Sequence, residues 1–120
     1  MPSDHRPKET FEEWLAEHAQ GTGVLGAGLL HRDRTCYTCT YSEDYPREEL
    51  DAAWMRLADT VQNLGLCRVH PYRTLWTFEH GQLQFVLRPD GVALGLLTVG
   101  YPVPPDPNWV ESLVQDFLRL

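Results

Sequence analysis

The stretch RTLWTFEHGQLQFVLRPDGVALGLLTVG, residues Arg73–Gly100, reads as three consecutive antiparallel strands. Its first run is Leu75-Trp76-Thr77-Phe78-Glu79. His80-Gly81 follows, a tight-turn dipeptide expected to supply the positive φ that a two-residue hairpin needs. The second run, Gln82–Arg88, sets Leu83, Phe85 and Leu87 on one face with period two. Pro89-Asp90-Gly91 makes the next turn through a fixed φ, a side-chain-to-backbone bond and left-handed tolerance, in that order. The third run, Val92–Val99, is apolar on both faces, a pattern a strand carries when both sides of its sheet are covered. A sheet with helices on both faces is implied, with this strand near its middle.

Upstream, Val24-Leu25-Gly26-Ala27-Gly28-Leu29-Leu30 is a second doubly apolar run and so a second interior strand. His31–Arg34 turns it into Thr35–Tyr41, rich in β-branched and aromatic residues but half polar, as at an edge. With the two apolar strands neighbouring at the centre and hairpin connections outward, the spatial order is second-first-fifth-fourth-third. A first helix over Phe11–Gln20 is introduced by the capping pair Thr10 and Glu13. A long helix follows Pro46, with Glu48 and Glu49 at the positive end of its dipole. Its core stripe is Leu50, Ala53, Trp54, Leu57, Val61 and Leu64, and Gly65 is the natural C-cap. Tyr101–Pro107, with four prolines, is a stiff connection to a last helix. Asn108 and Glu111 make the capping pair there, ahead of Val110, Leu113, Val114 and Phe117. Two helices on one face of a five-stranded, mostly antiparallel sheet and one long helix on the other make an α+β architecture. Residues 1–9 read as a flexible tail and residues 10–120 as a single domain.

The 120 residues carry ten Lys plus Arg against seventeen Asp plus Glu, a formal charge of −7. Binding a phosphate backbone needs concentrated positive charge, so no nucleic-acid partner is expected. No run approaches the roughly twenty apolar residues of a membrane span. No N-terminal apolar stretch resembles a signal peptide, and three cysteines are an odd number, so a reduced cytoplasmic home is expected. Gly21-Thr22-Gly23-Val24-Leu25-Gly26 has G-x-G-x-x-G spacing but follows a helix and opens a strand, the reverse of a dinucleotide site. Its glycines are expected to ease close packing. Cys36 and Cys39, with Cys67 and His70, supply zinc-ligand types at knuckle-like spacing. Positions 36 and 39 of a continuous strand point to opposite faces, so no metal is expected. Tyr101-Pro102-Val103-Pro104-Pro105 has PxxP spacing and reads as a rigid linker. No nucleophile elbow, zincin helix or phosphate loop is present. The reading is of a non-enzyme without catalytic residues or cofactor.

Three features belong together: Gly23-Val24-Leu25-Gly26-Ala27 opening the first strand, a long helix beginning near Glu48-Glu49-Leu50, and the closing pattern. That pattern is an aromatic strand, a turn, Phe85-Val86-Leu87, and Gly91-Val92-Ala93-Leu94-Gly95. Together they resemble the roadblock family of dynein light-chain-related proteins, which includes bacterial GTPase-regulating members. The family's Asp-Gly turn after the first strand is here Asp33-Arg34. Profilins share a similar helix–strand order, with Trp14 a point of similarity, but the long helix between the second and third strands is more like a roadblock protein. The resemblance implies a homodimeric scaffold or regulator that engages a small Ras-like GTPase or a larger assembly, with no catalytic arginine to carry over. The competing class is a small-ligand or metal-binding sensor, using a pocket between sheet and helix or the Cys/His set. The expected dimer surface joins Leu75, Trp76 and Phe78 of an edge strand to Ala52, Met55 and Ala58, small or adaptable residues beside the long helix's core stripe.

Overall fold

A computed structural model describes residues 7–68, 71–100 and 103–120. The elements are α1 (Lys8–His18), β1 (Val24–Leu30), β2 (Cys36–Thr40), α2 (Arg47–Leu66), β3 (Arg73–Phe78), β4 (Gly81–Leu87), β5 (Ala93–Val99) and α3 (Pro107–Arg119). The strands form one antiparallel sheet in the order β2-β1-β5-β4-β3. This is the order that follows from setting the two doubly apolar strands side by side.

Each face of the sheet has its own core. On one side α1 and α3 bring Phe11, Leu15, Val114 and Phe117 onto Ala27, Leu29, Val86, Leu94 and Leu96. On the other, α2 lays Leu50, Trp54, Leu57 and Val61 over Leu30, Phe85, Ala93 and Leu97. Gly28 and Gly95 are register partners in β1 and β5. They form the seat of Trp54: a Cβ on Gly28 would lie 2.1 Å from the indole Nε1, and one on Gly95 2.3 Å from Cε3. The indole N–H donates to Thr38 Oγ1 at 3.1 Å, so this large ring enters the interior with its polar atom satisfied. Arg88 is also buried. Its guanidinium donates to the carbonyls of Phe117 and Leu120, pairs with Asp90 at 3.0 Å, and lies over the rings of Phe11 and Phe117.

Several local expectations are corrected. Helix α1 begins at Lys8, and Pro7 occupies its N-cap with no side-chain cap, so the Thr10–Glu13 box does not form. The Lys8 ammonium bonds Asp33 and Thr35 in the β1–β2 turn, which anchors the extra helical turn. Helix α2 runs through Gly65 to Leu66, and the left-handed position falls on Arg68, with φ 64°. The cap of α3 is Asp106, which accepts from the Asn108 N–H at 2.9 Å, while Glu111 pairs with Arg73. The β3–β4 turn is Glu79-His80, not His80-Gly81; Gly81 already pairs with Phe78 and is not among the positive-φ glycines. Glycine is needed there for close approach, since a Cβ would meet the Thr98 carbonyl oxygen at 2.1 Å. Gly91 does take the expected left-handed conformation, with φ 91°. Of the expected tail, residues 1–6 lie outside the described residues, as do Tyr101 and Pro102 of the PxxP segment.

Candidate functional site

Helix α2 packs chiefly on β1 and β2. Two of its carboxylates hold it toward that side: Asp51 accepts from the Thr38 hydroxyl, and Asp59 pairs with Arg34 at 3.2 Å. The same face of the sheet at β3 and the adjoining part of β4 is left less covered. Opposed residues in an antiparallel pair share a face. The register sets Thr74 against Phe85, Trp76 against Leu83, and Phe78 against Gly81. Phe85 belongs to the α2 core, so Trp76, Phe78 and Leu83 also present themselves on the α2 side. Trp76 is 38% exposed and Phe78 41%. The Trp76 indole donates to Thr74 Oγ1 at 3.2 Å, which lays the ring along the strand. At the start of β3, Arg73 donates to Gln84 at 3.0 Å and to Glu111 at 2.8 Å.

The result is an apolar platform that runs up to a strand edge unpaired among the described residues, where β3 is hydrogen-bonded only to β4. No proline interrupts β3, and its side chains beyond Arg73 are uncharged. A flat apolar edge of this kind invites another strand. The opposite edge, β2, is different: it is short, half polar and tied to α2 through Thr38.

The six residues expected to form one surface do not. Trp76 and Phe78 come together. Leu75, 54% exposed, lies on the other face of the strand, opposite Gln84. Ala52 is exposed on the outer crest of α2. Met55 and Ala58 follow Asp51 along the helix. Both pack partly buried on the α2 core, and Ala58 with Gln62 lines a cleft over Leu30, Phe85, Leu87 and Ala93 whose lining does not include Trp76. The neighbouring stripe of α2 carries Ala53, Leu57, Thr60 and Leu64, of which Leu57 is buried and Leu64 is 36% exposed. Leu64 and Leu83 read as core positions in the sequence, but Leu64 is 36% exposed and Leu83 only half-buried, beside Trp76. Leu83 was legible in the period-two pattern of β4, but its place opposite Trp76 depends on the turn, which lies one residue earlier than expected.

The cysteines separate as well. Cys36 packs against the α2 core and Cys39 against the α1–α3 core, on opposite faces of β2. Cys67 is exposed beyond α2, and His70 lies outside the described residues. Among the described residues no group of three His, Cys, Asp or Glu side chains is placed to hold a metal. Burial, and then the nearby Asp51 carboxylate, push the Cys36 thiol up, which disfavours a reactive thiolate. Tyr41 is pushed up to about 12, by burial first and then by Cys39.

No protein-family model matches the chain, and no curated protein does. Solved structures do. The chain is similar to Myxococcus xanthus MglB, with a TM-score of 0.67, 9% identity, and 96% of this chain and 88% of that one covered. It is similar to a Roadblock/LC7 domain from Streptomyces avermitilis at TM-score 0.64, with 13% identity and 90% and 91% covered. A further Streptomyces avermitilis Roadblock/LC7 domain gives TM-score 0.52, with 20% identity and 96% and 98% covered. The fold is the Roadblock/LC7 fold, an α+β domain with sheet order 2-1-5-4-3.

Proposed function

We propose that this chain is a non-enzymatic homodimeric scaffold or regulator whose paired subunits engage a small Ras-like GTPase or a larger protein assembly. The observation that carries the reading is the uncovered platform of Trp76, Phe78 and Leu83 beside the unpaired β3 edge. Two copies related by a two-fold axis would pair their β3 strands antiparallel and extend one sheet through both subunits. Trp76 and Phe78 of each copy would then lie between the two α2 helices, with Ala53, Leu57, Thr60 and Leu64 lining the approach. Ala52 on the crest would face whatever docks across both helices. Leu75 would contribute on the reverse face of the joined sheet. Met55 and Ala58 stand farther from the two-fold axis. The roadblock likeness, with its bacterial GTPase-regulating members, supports the choice of partner class.

The partner half of the reading is tested by immobilising the native chain and applying small Ras-like GTPases loaded with GDP or with a non-hydrolysable GTP analogue. Retention that depends on the nucleotide, and that is lost when Ala52→Arg is introduced, is the expected result. A chain that dimerises yet retains no GTPase in either state contradicts it. A second reading, a small-ligand sensor, is favoured by the cleft between α2 and the sheet that Leu30, Val61, Phe85 and Ala93 line.

A further inference from the structure

Where α2 crosses toward the lower end of the sheet, it roofs a half-open cleft of about 440 Å³ that is separate from the Trp76 platform. Its floor is apolar: Leu30, Val61, Phe85, Leu87 and Ala93. Its rim is not. Arg32 and Arg34 come from the β1–β2 turn and Gln62 from α2. The volume lies within the about 300–1,000 Å³ usual for small-molecule sites, and an apolar floor with a few convergent polar groups is their usual lining.

Both arginines belong to the β1–β2 turn and line the cleft. Arg34 holds a left-handed backbone, φ 70°, at a position where glycine would carry no steric penalty. Arg32 lies with its aliphatic stem along Gly91, close enough that a Cβ there would meet Arg32 Cγ at 2.5 Å. Arg32 lines both the cleft and a neighbouring hollow that also holds Lys8, Asp33 and Asp90, so its side chain stands between the two hairpin turns. Arg34 is paired with Asp59. Among the described residues, Arg32 makes no salt bridge within 4.0 Å, although the chain carries seven more acidic than basic side chains. A guanidinium beside an apolar slot matches an amphiphilic anion, with a carboxylate on the fork and a hydrocarbon body on the floor.

We propose that this cleft is a binding site for a small apolar carboxylate, an aliphatic or aryl acid, with its head on Arg32 and its body along Phe85, Leu87, Val61 and Leu30. The site is independent of the proposed dimer surface, so either can fail alone. Decanoate is a suitable probe, titrated below its micellar range into the full-length chain and followed by calorimetry and by amide chemical shifts. One saturable site per chain is expected, with shifts concentrated at Ala58, Gln62 and Gly91, and with affinity that falls as salt is raised. Arg32→Ala should weaken decanoate at least tenfold without changing the melting temperature. Ala58→Phe, which fills the cleft from its roof, should abolish binding while leaving the folded amide spectrum elsewhere intact. Decanol should bind at least tenfold more weakly than decanoate. The proposal is overturned by the absence of saturable decanoate binding to the folded native chain, by equal affinity for decanoate and decanol, or by unchanged affinity in folded Arg32→Ala.

Discussion

Arg88 holds its charge inside the protein because every side of the guanidinium is occupied. Asp90 accepts on one edge, the last carbonyls of α3 accept on another, and two phenylalanine rings cover a face. Removing one member of a buried, hydrogen-bonded ion pair leaves its partners unsatisfied, so Arg88→Ala should cost about 3–5 kcal/mol in urea unfolding. A loss below about 1 kcal/mol would mean that water replaces the arginine. Arg68 stands at the other extreme. It is exposed, and its backbone is left-handed with φ 64° at the end of α2. Glycine relieves that conformation but enlarges the entropy of the unfolded chain, so Arg68→Gly should stabilise by about 0.5–1 kcal/mol. Asp33 gives the pH dependence. The Lys8 ammonium first, and then the Thr35 hydroxyl and N–H, hold its carboxyl well below the usual carboxylate range. A lowered folded-state value means that its contribution to stability is full above about pH 4 and is lost as pH falls toward that lower value. In Lys8→Ala the Asp33 carboxyl resonance should titrate closer to about 3.9 than in the native chain. An unchanged midpoint would remove Lys8 as the chief cause.

The central strands and α2 stand or fall together because Trp54 is seated on two glycines. Gly28→Ala puts a methyl where the indole nitrogen lies and should destabilise by about 1–3 kcal/mol through overpacking. Combining it with Trp54→Leu should cost less than the sum of the single changes, since the clash disappears with the ring. Leu96, buried on β5, should lose about 2–5 kcal/mol when cut to alanine. Leu83, only half-buried on β4, should lose less, and equal melting shifts for the two would contradict the burial described. The sheet order was legible because apolarity on both faces is a property of the residues themselves, and two such strands can satisfy it only at the centre. The helix ends were not. Thr10, Gly65 and Asn108 are sound cap residues, but contacts with distant residues or a neighbouring acid chose the boundaries: Lys8 on Asp33, and Asp106 two places before Asn108. The candidate site was half legible for a related reason. Helical periodicity tells which side of α2 is buried, but not which flank faces which strand. That depends on the direction in which the helix crosses the sheet, held here by Asp51 on Thr38 and Asp59 on Arg34, and it sets Ala58 over the cleft of Leu30, Phe85 and Ala93 rather than with Trp76 and Phe78.

At the scale of the whole molecule, the two faces of the sheet are covered unequally. One carries two helices and the other carries one, which leans toward the β2 edge and leaves the β3 side with exposed aromatic side chains. A contiguous apolar surface next to an open edge is the pattern of a subunit face. The most direct measurement is light scattering on the native chain at micromolar concentration, alongside Trp76→Lys. The native chain should give twice the 13.8 kDa of one copy. Trp76→Lys should shift toward a single copy while keeping a folded amide spectrum, because the substituted position is exposed in one subunit. A native chain that scatters as a monomer, or a Trp76→Lys variant that remains fully dimeric, would contradict the account.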